Sequence, residues 1–355
     1  MLRLLLAVFV SGAALIQAAD EPKVTVTRWP QNRTAAASLT FDDAVPTHLD
    51  VAGPVLARHH LTGTFYVNTT RGPWREHIDG WRALAAAGNE IGNHTVNHPC
   101  LLDRITPHAQ QYTPAMMEVE VRDAAREIAE KIGSSRGMTF GYPCGNLSFG
   151  PPRDQARNSA LYLGYVADCC FAGRGYLGNA APQNPDELNV LTVTDLGVTE
   201  GKSFSQLLAM LEPGVRSGNW GIFTFHGVGG DWLPVPDASL EELAQYLEKH
   251  QEIWTATFGD GVRYTQERRS LGIAVARSGA DAFDVALDWP LDPAVFDLPL
   301  TLRIELPEQW KGATIQGAKI HATAPAFPAP ASTGAKVILI DVPPQTERLT
   351  LSRAQ

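Results

Sequence analysis

From Thr34 to about Arg269, compact apolar runs alternate with amphipathic stretches. Ala37–Phe41, Gly63–Val67, Met138–Tyr142, Val190–Thr194, Gly221–Phe225 and Ile253–Thr257 read as buried strands, being short, β-rich and bounded by turn residues. The intervening stretches carry helix signals. Thr113-Pro114 predicts an N-cap followed by proline at the first helical position. Met117, Val121, Ile128 and Ile132 then fall near one face, and Gly133 stops the helix. Ser239 with Glu242 predicts a capping box ahead of Leu243 and Leu247. Asp79–Ala87 reads as a short helix ended by Gly88. Sustained strand–helix alternation implies a parallel sheet, open or closed into a barrel.

After about Ser270 the pattern changes. Phe283–Leu287, Leu300–Leu306, Ala313–Ile320, Val337–Val342 and Arg348–Leu351 are short strand-like runs among proline-rich turns, with no strong helix. The expected organisation is an α/β unit over residues 20–269, then a small all-β sandwich-like unit over residues 270–355. The second unit's residues suggest no chemistry, and a structural or interface role is favoured over carbohydrate binding.

The first residues form a third kind of segment. Arg3 precedes an apolar run from Leu4 to Val10, then small residues ending at Ala18-Ala19. This reads as a signal peptide over residues 1–19, with a secreted or periplasmic product. The apolar run is short for a membrane span, and no stable span is expected after cleavage. The chain has 355 residues, 44% hydrophobic and 19% charged, as expected of a globular protein with a real core. A net charge of -9 argues against nucleic acid as a partner. Export permits disulfides. Cys100, Cys144, Cys169 and Cys170 fit no zinc-finger spacing; either one bridge from the adjacent pair to Cys144 or Cys100 forms, or the thiols are free and buried.

Three separated pieces carry candidate chemistry. TFDDA holds Asp42 and Asp43 directly after the first strand, HTVNH holds His94 and His98, and IFTFHG holds His226 directly after another strand. Barrels of alternating strands and helices place their chemistry at such strand ends. Adjacent carboxylates there are costly unless a cation or a polar task accompanies them. Histidines spaced i, i+4 suit one metal in a helical turn or compact loop. Each piece alone has a bland reading: a turn, a chance pair, a core histidine. Together they supply a carboxylate and two imidazoles for a divalent metal, a second carboxylate, and a distant histidine. That is a set for metal-assisted hydrolysis of an acyl bond.

In order and rough spacing, Thr40–Ala44, His94–His98, Phe140–Asn146 (FGYPCGN) and Phe223–His226 resemble the motifs of the polysaccharide deacetylase family, the NodB-homology domain of carbohydrate esterase family 4. The resemblance covers residues 34–268, with Ile253–Tyr264 similar to the family's closing strand. It implies a distorted (β/α) barrel and removal of acetyl groups from an acetylated saccharide. It implies that Asp43, His94 and His98 hold a divalent metal, zinc first, with cobalt, nickel or iron also compatible. Asp42 would be the general base, His226 the acid for the leaving amine, and the Cys144 N–H an oxyanion donor.

This chain also departs from the family pattern. Ala44 replaces a common glycine, and Gly141 stands where many members have an arginine that orients the base. Cys144 replaces a common aromatic. The Tyr142-Pro143 pair instead resembles the branch with an F-x-Y-P-x-G loop, which makes both residues substrate-binding candidates, and Phe223 stands where a leucine often walls the acetyl pocket. Trp232, in the loop after His226, is a candidate sugar platform. Trp74, Arg174 and Asn179 are assigned to loops able to reach the cleft. Asp168 and Asp195 are candidates for the family's aspartate–tryptophan motif, each favoured as structural. The expectation is N-deacetylation of amino-sugar saccharides. O-deacetylation of xylan-like chains, another C–N hydrolysis, and an inactive carbohydrate-binding protein are the alternatives.

Overall fold

The computed structural model describes residues 21–133, 137–176, 181–317, 321–322 and 336–354. The expected signal segment and Asn179 lie outside them. After β1 (Lys23–Val26) the chain builds a barrel from β2 (Ala35–Asp42), β3 (Thr64–Val67), β4 (Glu90–Asn93), β5 (Thr139–Gly141), β6 (Ala172–Tyr176), β7 (Val193–Thr194), β8 (Leu196–Gly197), β9 (Trp220–Phe225) and β10 (Ile253–Thr255). The strand order is β7-β6-β5-β4-β3-β2-β9-β8, with β10 beside the first half of β2, and the pairings are parallel. Only Asp195 separates β7 from β8, so this residue forms the seam of a nearly closed barrel.

The connecting helices are α1 (Gly53–Arg58), α2 (Gly72–Glu76), α3 (Ile78–Ala86), α4 (Pro114–Ile132), α5 (Gln155–Cys169), α6 (Phe204–Ser217), α7 (Asp237–Lys249) and α8 (Phe258–Ser270). α4 starts and stops as its sequence predicts. Thr113 accepts from the Met116 N–H, Pro114 opens the helix, and Gly133 closes it at φ 78°. A glycine suits that left-handed position because it has no Cβ to clash.

Every residue of β2 is buried, as expected for a strand covered on both faces. Leu39 and Phe41 join the outer core with Phe223 and Phe225. Ser38, Thr40 and Asp42 have the opposite parity and face the barrel interior, as do Ile222, Thr224 and His226 on and after β9. Tyr66, Trp220, Ile222 and Phe258 fill part of that interior as an apolar cluster. The polar residues of the same faces gather at the strands' C-terminal ends.

Several local expectations need correction. The sequence pattern gives no sign of β4, β6, α5 or α6. β10 stops at Thr255 and Thr257 caps α8, so the expected strand-like tail to Tyr264 is helical. α7 begins at Asp237, which puts Ser239 inside the helix and buried rather than at its cap. Of Val190–Thr194 only the last two residues form a strand. The cysteine pairing also differs. Cys100 bonds Cys144, whose Cα atoms lie 5.8 Å apart, while Cys169 and Cys170 are free with their sulfurs 3.4 Å apart. The loop after His98 folds back over the Pro143–Gly145 turn, bringing the first pair within bridging range.

The remaining strands are β11 (Gly272–Gly279), β12 (Ala282–Asp288), β13 (Leu300–Glu305), β14 (Ala313–Gln316), β15 (His321–Ala322), β16 (Val337–Val342) and β17 (Arg348–Arg353). They form two antiparallel sheets, β11-β12-β17-β14 and β1-β13-β16-β15. Phe283, Val285, Leu302, Ile304, Ile340 and Leu351 share their core. The segment Lys23–Val26, grouped with the first unit by sequence, is therefore an edge strand of the second. Among the described residues no helix is long and apolar enough to cross a membrane.

Candidate metal centre and active site

Asp42 ends β2, and Asp43 follows with φ 81°, a left-handed conformation that costs a non-glycine residue about 1–2 kcal/mol. Such strain persists where the surroundings fix it, and functional sites are where it collects. The turn aims both buried carboxyls into the barrel mouth. His94 follows β4, and its Nδ1 donates to the Gly141 carbonyl at 2.7 Å. In the neutral ring this leaves Nε2 as the free acceptor. That atom lies 3.6 Å from Asp43 Oδ1 and 3.8 Å from Asp42 Oδ2. His98 Nε2 lies 3.4 Å from the same Asp43 oxygen.

These distances test a metal directly. Two ligands about 2.1 Å from a tetrahedral zinc are roughly 3.4 Å apart. The ligand atoms of Asp43, His94 and His98 all lie within 4.8 Å of one another. Asp43 Oδ1 is buried with no hydrogen-bond partner among the described residues, a costly state that a cation would relieve. Burial, then the neighbouring His94, lowers His98 to about 4, which keeps it in the neutral, ligating form. Burial raises the Asp43 carboxyl, but the facing His98, His94 and His226 outweigh it and leave it lowered. The residues fit a divalent ion.

Arg174 resolves the question left by Gly141. It sits on β6 in register with Gly141, so the cation comes from the adjacent strand. A Cβ at Gly141 would lie 2.9 Å from the Tyr66 ring and 3.1 Å from His94 Nδ1, leaving no room for an arginine there. Arg174 is buried, pairs with Asp42 through both terminal nitrogens, and lies 4.2 Å over the Tyr66 ring. Its Nη1 is also 3.2 Å from Asp195 and 3.1 Å from Thr224 Oγ1. Burial alone would raise Asp42; Arg174, His94 and His226 outweigh it and bring the carboxyl down to about 2. Burial raises Asp195 despite the same guanidinium.

His226 follows β9 and is half-buried at the mouth, where it interacts electrostatically with both Asp42 and Asp43. His48 was missed by the sequence reading. It is fully buried among Phe41, Phe65 and Trp81, and its Nε2 donates to the His226 carbonyl at 3.0 Å. Burial lowers it to about 4. The loop beyond is tied by the Gly227 N–H to the Trp232 carbonyl at 2.7 Å, and by the Val235 N–H to the Gly227 carbonyl at 3.0 Å. A Cβ at Gly227 would stand 2.0 Å from the Gly230 carbonyl oxygen. Gly227→Ala should therefore lower stability by about 1–3 kcal/mol and displace His226, checked by the unfolding midpoint together with activity.

The other candidates separate. Cys144 lies in the turn after β5 at φ 53°, held by its disulfide to Cys100. Trp232 is 53% exposed on the loop after His226. Pro143 is buried beside Cys144. Tyr142 turns inward and donates to the Leu191 carbonyl at 2.8 Å. Phe223 is wholly buried against Phe225, on the outer face of β9. Trp74 is also buried, donating to Glu127 at 2.9 Å, so it does not line the cleft. Asp168 pairs with Arg122 at the surface.

The family model described as polysaccharide deacetylase matches residues 30–167. A gellan lyase from Bacillus sp is 26% identical over 325 residues, covering 83% of this chain; the chain spans 12% of that protein's length. A family 4 acetyl xylan esterase from Clostridium thermocellum, solved with cobalt, aligns at 18% identity and TM-score 0.41, over 64% of this chain and 89% of that one. A family 4 carbohydrate esterase from Streptomyces lividans, solved with acetate, aligns at 18% identity and TM-score 0.41, over 63% and 93%. The span matched by the family model holds Asp42, Asp43, His94, His98 and the Cys144 turn, so the part of the chain over residues 30–167 is similar to the polysaccharide deacetylase family.

Proposed function

We propose that the protein is an exported hydrolase that removes N-acetyl groups from amino-sugar oligo- or polysaccharides with the help of a divalent ion, zinc by preference. The observation that carries this reading is the pairing of two adjacent aspartates with different partners. Asp43 faces two imidazoles, and Asp42 faces a guanidinium. An ion held by Asp43, His94 and His98 would polarise the acyl oxygen and acidify the attacking water. Asp42, held ionised by Arg174, takes the water's proton. The Cys144 N–H is the donor proposed for the developing oxyanion. His226 donates a proton to the departing nitrogen, because an amine leaves poorly as its anion. Trp232 offers an exposed ring for a sugar face; Trp232→Ala should raise KM about 2- to 10-fold with kcat little changed, as expected for loss of one stacking contact.

An acetate-release screen tests the reading, using chitooligosaccharides, peptidoglycan fragments and acetylated xylan with and without chelator. Release from the N-acetylated substrates, abolished by chelator and restored by zinc, is the expected result. Release confined to xylan, and retained by His226→Ala, would assign O-deacetylation instead, since an alcohol needs less help to leave. Stoichiometric sugar binding without acetate from any substrate would assign a binding protein.

A further inference from the structure

The turn that carries both candidate histidine ligands is held on one side by Thr69 and Thr70, which donate to the Thr95 and Val96 carbonyls, and from behind by one buried carboxylate. Glu120, on α4, is 4% exposed. It accepts from the Asn97 backbone N–H at 2.7 Å, from Asn97 Nδ2 at 2.8 Å and from the Tyr112 hydroxyl at 3.1 Å. Its own carbonyl accepts from the Val96 N–H at 3.1 Å. The next residue, Val121, accepts from Asn93 Nδ2 at 2.9 Å. One turn of α4 thus grips Asn93, Val96 and Asn97, which bracket His94 and adjoin His98.

The grip has a physical task. Thr95 and His98 sit at φ 69° and 60°, left-handed positions that a free loop would leave. The ties inside the turn, Thr95 N–H to Asn93 and His98 N–H to Thr95 Oγ1, shape it but do not anchor it to the rest of the molecule. Charge-assisted bonds to a buried carboxylate are stronger than neutral ones, which suits Glu120 to that anchor.

We infer that Glu120 is a positioning residue that presets the His94–His98 spacing, and so sets how tightly the centre binds its ion. This rests on the metal centre proposed above. Zinc affinity, measured by competition with a chelating dye, tests it on the full chain, alongside unfolding midpoints taken in excess chelator. His94→Ala is the control for the centre itself. In Glu120→Gln the amide must turn an N–H toward one of the Asn97 donors, so one bond is lost. The expected result is zinc affinity about 10- to 100-fold weaker, the range for loss of a partner that orients a ligand, with the chelated midpoint little changed. Unchanged affinity in Glu120→Gln, with His94→Ala defective, would overturn this inference and leave the metal reading intact. A lower midpoint without weaker binding would likewise reduce Glu120 to a core residue. Wild-type protein that binds no zinc through His94 would overturn the metal reading itself. Where Glu120→Gln fails to fold, Asn97→Ala decides: affinity several-fold weaker in a folded protein supports the inference, and unchanged affinity refutes it.

Discussion

Arg174→Ala should fold poorly, and Arg174→Lys should fold but lose most of its activity. The guanidinium is buried between Asp42 and Asp195, against Thr224 and over the Tyr66 ring. Alanine would leave two carboxylates in one buried cavity without their cation. Breaking a buried pair from one side costs about 3–5 kcal/mol. That is a large part of a total stability of roughly 5–15 kcal/mol. Lysine keeps the charge but has a single ammonium. It cannot meet both Asp42 oxygens as a planar fork does, so Asp42 would be held less rigidly. Calorimetric midpoints and acetate-release kcat measure the two effects separately. Wild-type values of both in Arg174→Ala would show that the pair neither supports the fold nor aims the base.

Asp42→Asn and His94→Ala should fail in different ways. Asp42→Asn removes the proposed proton acceptor but none of the three candidate ligands. It should keep zinc and lose about 10²- to 10⁴-fold in kcat, the usual weight of a positioned acid or base. It should also lose some stability, because Arg174 gives up its nearest anion. His94→Ala removes a ligand and the bond to the Gly141 carbonyl, and should lose zinc with activity. Bound-metal analysis beside acetate release separates the cases. Unimpaired deacetylation by either variant would refute the division of labour between Asp42 and Asp43.

The amino-acid pattern reveals the barrel where strands are apolar and conceals it where the site is built. Ala37–Phe41, Gly221–Phe225 and the long helix to Ile132 are legible because burial demands apolar residues at recognisable spacing. β4 reads EIGN and β6 reads AGRGY, and neither has a strand's composition. Their inward positions serve chemistry or close backbone approach rather than packing. For that reason the sequence pattern puts Arg174 on a loop, whereas it lies on β6. α8 was missed for a related reason. Arg263, Thr265 and Glu267 are buried in it, so no clean apolar stripe marks the helix. The candidate ligands are legible through short motifs tied to strand ends. The groups behind the site come from other parts of the chain: His48 bonds the His226 carbonyl, Glu120 bonds Asn97, and Asp195 bonds Arg174.

The pairing of β1 with β13 has a consequence for how the protein is made. Thr25 Oγ1 donates to the Arg303 carbonyl across a sequence separation of 278 residues. At the usual 5–20 residues per second of synthesis, β1 must wait roughly 15–60 seconds for its partner strand. For that interval the sheet it belongs to does not exist, and Val24 lacks the core it shares with that sheet. The barrel strands β2 to β10 can pair before β13 is made. The later-made strand β13 thus acts as a clasp on β1, and cutting the chain at Ser270 would leave β1 as a loose, sticky edge.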